Sequence, residues 1–152
     1  MSSRNAKLYL QDILQACNDI LNFTQGMKSA SDLQTDRRTF LAVIHSLQII
    51  GEAARQMPKS FRETYSDFPW RETASLRNVI AHEYFGLDID IIWDVVQTRI
   101  PALDEQVRLI KVEWKTAAIK DQDVLQIEND IALSEICHTL RVVWGEYVVE
   151  GF

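Results

Sequence analysis

Residues 36–58 read DRRTFLAVIHSLQIIGEAARQMP. Within them Phe40, Val43, Ile44, Leu47, Ile50, Ala54 and Met57 recur every three or four positions. That is the period of a helix burying one face. Pro58 has no backbone N–H to donate and ends it. The segment predicts a helix from about Asp36 to Met57, long enough to be the spine of a bundle.

The pattern repeats on both sides. Upstream, Leu8, Leu10, Ile13, Leu14, Cys17, Ile20 and Leu21 mark a helix over about Asn5–Thr24, with Gly26 as its stop. Gln25 to Thr35 is polar and reads as a loop. Downstream come a short helical turn around Phe61–Tyr65 and a third helix from about Trp70 to Tyr84, closed by Gly86. Asp88 or Asp90 can cap a fourth helix carrying Ile89, Ile92, Trp93, Val96, Ile100, Leu103, Val107 and Ile110, with a kink expected at Pro101. Past Lys120, Val124, Ile127, Ile131, Ile136, Leu140, Val143 and Trp144 suggest a fifth, acidic amphipathic helix. No strand-like alternation occurs and there are only five glycines and three prolines. The expected class is all-α, a four- or five-helix bundle, with a main domain over residues 1–115 and an acidic C-terminal extension over 116–152.

With 152 residues, 47% hydrophobic and 25% charged, the chain has the balance of a globular protein that folds without disulfides or metal. Cys17 and Cys137 lack metal or redox spacing and read as reduced core residues. Met1 to Leu10 lacks the apolar stretch of a secretory signal, and no apolar run approaches the 18 residues of a membrane span. A cytoplasmic protein with no membrane partner is expected. The net charge of -6 argues against a nucleic-acid partner until its distribution is read. Residues 121–152 hold seven acids against Arg141 alone, which leaves 1–120 neutral. Arg55, Lys59, Arg62, Arg71 and Arg77 could then line one basic cleft.

Chemistry concentrates in Leu76-Arg-Asn-Val-Ile-Ala-His-Glu-Tyr84. At about 100° per residue, Asn78 and His82 share a face and can hydrogen-bond, while Arg77 and Tyr84 share another. Arg77 and His82 fall about 140° apart. A long Arg side chain, a distortion near the helix end, or a second copy of the chain could each unite them. Such a set suits RNA cleavage without metal. A histidine with a pKa near 6.5 takes and gives protons. A guanidinium matches the oxygens of a phosphate and stabilises its developing charge. Asn78 can orient the ring or the substrate. No second His or carboxylate cluster sits at metal-ligand spacing, and no cofactor is expected. By default, each group has a plainer role: helix-end polar residue, salt-bridge partner or core-edge aromatic. Trp70, Trp93, Trp114 and Trp144 read as packing residues, and His45 and His138 as structural.

The ordered residues Arg77-Asn78, Ala81-His82-Glu83-Tyr84 resemble the RxxxxHxY signature of HepT-like toxins of the HEPN superfamily. Tyr9-Leu-Gln-Asp-Ile13, Ile49-Ile-Gly-Glu-Ala-Ala54, Phe68-Pro-Trp70, Tyr84-Phe-Gly-Leu-Asp88 and Ile92-Trp93 are similar to the same family in the same order. The likeness spans about residues 6–112. It implies a HEPN-type helical bundle, a homodimer with paired motifs in a cleft, and a metal-independent endoribonuclease acting on RNA, tRNA or mRNA. It also implies a toxin–antitoxin module whose partner is an MNT-domain nucleotidyltransferase antitoxin. That partner can transfer AMP from ATP to the motif tyrosine. On this resemblance Arg77 and His82 are catalytic, Asn78 supports them, and Tyr84 is the AMPylation site. Two other readings fit the same fold: a non-catalytic HEPN module that regulates a partner nucleotidyltransferase, and a domain that binds nucleotide for that partner. The region after Lys115 has no counterpart in the family pattern.

Overall fold

A computed structural model describes residues 5–82 and 88–117, with only the backbone described over 78–82. The chain separates into two units, Met1–Lys111 and Val112–Phe152. The first is all-α, of HEPN bundle type, and no strand occurs among the described residues. Its elements are α1 (Ala6–Phe23), α2 (Ala30–Thr35), α3 (Arg37–Gln56), α4 (Lys59–Thr64), α5 (Trp70–His82) and α6 (Ile89–Asp94). A π turn (Val95–Arg99) leads from α6 into α7, residues 100–111. In the second unit, residues 112–117 are helical, with the Thr116 hydroxyl donating to the Val112 carbonyl at 2.9 Å.

The spine helix α3 packs along both α1 and α5. Ile13, Cys17 and Ile20 of α1 and Val43, Leu47 and Ile50 of α3 are almost wholly buried, as their periodicity predicts. Each large aliphatic among them contributes roughly 1.5–3 kcal/mol through its removal from water. Asn5 caps α1, its side chain accepting from the Lys7 N–H. Gly26, at φ 86°, takes the left-handed turn that follows. Arg108 of α7 ties back to α1, donating to Asn18 Oδ1 at 2.8 Å while paired with Asp104.

Two local features depart from the sequence reading. The polar stretch expected as a loop contains α2. Ser29 and Asp32 form a reciprocal capping box, in which Asp32 Oδ2 accepts from the Lys28 and Ser29 N–H groups and Ser29 Oγ from the Asp32 N–H. Leu33, fully buried, is its sole anchor in the core. Near Pro101, the expected disturbance takes the form of the π turn, in which the Ile100 N–H bonds to the Val95 carbonyl. Ile92, Val96 and Ile100 are buried at two successive steps of four. On a regular α-helix that spacing drifts about 80°; a wider π turn absorbs the drift and keeps the stripe inward. Asp88 is the cap of α6, accepting from the Asp90 N–H at 2.9 Å. The predicted helix past Lys120, with Cys137, His138 and Trp144, lies outside the described residues.

Candidate active site

The carrier of the motif, α5, is fixed at its start by aromatic packing. Trp70 is buried, its ring 4.3 Å from Phe68 and 6.1 Å from Phe61 centroid to centroid. Its indole N–H donates to the Tyr65 carbonyl at 2.9 Å. Thr73, also buried, satisfies its hydroxyl on the Pro69 carbonyl at 2.7 Å. Trp70 is thus a packing residue, as its spacing predicts.

Further along, α5 crosses α3 at a glycine. A Cβ at Gly51 would stand 2.7 Å from the Arg77 backbone nitrogen and 2.8 Å from Arg77 Cβ, closer than atoms can pack. Gly51 therefore sets how near the two helices lie at the residue that begins the motif. The next residue of α3 completes the arrangement. Arg77 Nη1 donates to Glu52 Oε2 at 2.7 Å. Arg55 donates to the same carboxylate twice, Nε to Oε2 at 3.2 Å and Nη2 to Oε1 at 2.7 Å. Gln56 Nε2 adds a bond to Oε1 at 2.9 Å. Bonds from Arg55, then Gln56, then Arg77 hold the Glu52 carboxyl down at about 2.

The side chains of this cluster are about half exposed, 42% for Arg77, 44% for Glu52 and 52% for Arg55. Ion pairs this open to water add only about 0–1 kcal/mol to stability. Their effect is to fix where the guanidinium groups lie. Glu52 also lines a groove between α1 and α3 of about 550 Å³, with Tyr9, Asp12, His45, Gln48 and Gln56. His45, read as structural from its place inside the helix, is exposed on this groove.

Of the sequence-derived site, Arg77 is placed with its partners. Asn78 and His82 lie on α5, whose backbone is helical through His82. Tyr84 lies outside the described residues. The five candidates for one basic cleft divide into two groups. Arg55 and Arg77 share Glu52, whereas Lys59, Arg62 and Arg71 line a hollow together with Glu63, Asp67 and Glu72 and are balanced by them. Sequence reasoning passed over Glu52. The available signal was Gly51, a residue costly inside a helix unless another backbone must come close. No group of three or more His, Cys, Asp or Glu able to hold a metal occurs among the described residues. No described helix is long and apolar enough to cross a membrane.

Fold and site together define an all-helical HEPN-type bundle with a guanidinium pair held at a helix crossing. The family model for ribonuclease HepT-like proteins matches residues 13–110. A Methanocaldococcus jannaschii protein named "Putative RNase MJ1380" is 36% identical over 110 residues, 72% of this chain and all of that protein. "Putative RNase TTE0752" of Caldanaerobacter subterraneus is 42% identical over 102 residues, 67% of this chain and 90% of its own length. "Probable ribonuclease HepT" of Thermococcus cleftensis is 40% identical over 100 residues, 66% of this chain and 90% of its own length. The chain belongs to the ribonuclease HepT-like family. No solved structure matches it.

Proposed function

We propose that this protein is a metal-independent endoribonuclease and the toxin of a HEPN/MNT toxin–antitoxin pair. The observation that carries the reading is Arg77, the first residue of the RxxxxHxY motif, held by Glu52 in a chain of the ribonuclease HepT-like family. In the proposed reaction His82 takes the proton of a ribose 2′-OH, and that oxygen attacks the adjacent phosphorus. The bond from phosphorus to the 5′ oxygen breaks, leaving a 2′,3′-cyclic phosphate, and the departing oxygen receives a proton to end as a 5′-OH. Arg77 stabilises the extra negative charge on the phosphate oxygens at the transition state. Asn78 orients the imidazole or the substrate. The working form is a homodimer with the two motifs facing one cleft, in the cytoplasm.

The proposed silencing uses Tyr84. An MNT-domain nucleotidyltransferase would transfer AMP from ATP to its hydroxyl, releasing pyrophosphate. The added phosphate brings bulk and negative charge beside the Arg77 and His82 positions, where it repels an RNA backbone.

One set of strains tests this reading: wild type, His82→Ala and Tyr84→Phe under a tight inducible promoter, with and without the antitoxin. The expected result is growth arrest with RNA fragments in wild type and neither in His82→Ala. Purified wild type should gain mass in AMP units with antitoxin and ATP, and Tyr84→Phe should not. Equal arrest by wild type and His82→Ala, with RNA intact, would instead favour a non-catalytic module that regulates its partner.

A further inference from the structure

We propose that Glu52 binds Arg55 and Arg77 into a single two-guanidinium clamp, in which Arg55 is a phosphate-binding residue for the RNA strand. The inference rests on the ribonuclease reading and extends its site from α5 onto α3. Arg77 Nη1 and Arg55 Nη2 each stand 2.7 Å from an oxygen of one carboxylate. The two groups are therefore separated by no more than one carboxylate and two hydrogen bonds. A phosphate held by Arg77 lies within reach of Arg55, either directly or through the next phosphate of the strand.

Charge and donor count support the assignment. Two guanidinium groups on one carboxylate leave the cluster at +1. A guanidinium has five N–H donors. Among the described residues, these bonds occupy one donor of Arg77 and two of Arg55. Both groups keep donors for phosphate oxygens and are exposed enough to meet a strand. Glu52 is a positioning residue, acting through the two arginines.

Two readouts on the full-length dimer test this: binding of a single-stranded RNA oligonucleotide 2′-O-methylated throughout, and cleavage of the same sequence as plain RNA. Arg55→Ala should weaken binding about five- to tenfold. It should also lower the slope of log affinity against log salt by about 0.7, the loss of one phosphate contact. Arg55→Lys should recover part of the affinity, and Arg38→Ala, a loss of charge at the start of α3, should change neither readout. Glu52→Gln should separate the two: binding equal or tighter, since a negative charge is gone, and kcat about ten- to a hundredfold lower, since Arg77 is no longer aimed. Its acid limb of cleavage should stay where the wild type has it, because Glu52 is ionised throughout that range. Wild-type binding and salt slope in Arg55→Ala, or wild-type kcat in Glu52→Gln, would remove the clamp while leaving the ribonuclease intact. A wild type that neither binds nor cuts RNA would overturn the ribonuclease reading, and the clamp with it.

Discussion

Replacing a helical glycine by alanine normally gains about 1 kcal/mol, because alanine loses less backbone freedom. At Gly51 the sign should reverse. The new methyl meets the backbone of Arg77 rather than a yielding side-chain tip, and forced overpacking costs about 1–3 kcal/mol. Gly51→Ala should be net destabilising, by up to about 2 kcal/mol in urea unfolding, and should slow RNA cleavage as Arg77 moves off Glu52; a more stable, fully active variant would contradict the crossing described. The arginine was legible in the sequence because its neighbours form a motif. Glu52 was not, because a half-exposed glutamate beside Arg55 looks like any solvated helix charge. Its importance comes from Arg77, 25 residues away, and the neighbouring Gly51 was the local sign of that approach.

Helices with long apolar stripes were read correctly: α1 and α3 each combine regular spacing with a clear stop, at Gly26 and at Pro58. The helix α2 escaped because six residues with one buried leucine have no period to detect, and its evidence is a cap rather than a stripe. That structure predicts an uneven dependence on its residues. Leu33→Ala should cost about 2–5 kcal/mol, the range for a fully buried aliphatic, and free α2 from the core. Ser29→Ala should cost only about 0.5–1 kcal/mol, since the Asp32 carboxylate still holds two backbone N–H groups. Chemical denaturation of the pair checks the ranking, and equal losses would mean that capping rather than burial holds the element.

For the whole molecule, the question is whether one chain or two make the active site. Arg77 and His82 are five residues apart on a helix regular through His82, so about 140° separates them around its axis. In the proposed homodimer, the imidazole that completes the site of Arg77 comes either from its own chain or from the second copy. Mixing Arg77→Ala with His82→Ala distinguishes the cases. If the residues act across the dimer, each mixed dimer regains one intact site and the mixture about a quarter of wild-type activity. If they act within one chain, every site stays broken and the mixture is as inactive as its parents. The same scale shows what composition hid: a net charge of -6 describes the C-terminal segment, and the neutral remainder can still hold a local cluster at +1.

The π turn before Pro101 has a consequence for comparing this chain with others. A π turn is topologically an α-helix carrying one extra residue. A homologous helix that is α throughout would align with this one through a single-residue gap, placed between Val95 and Arg99. An alignment that forced the two helices together without that gap would turn every residue on one side by about 100° and match buried positions to exposed ones.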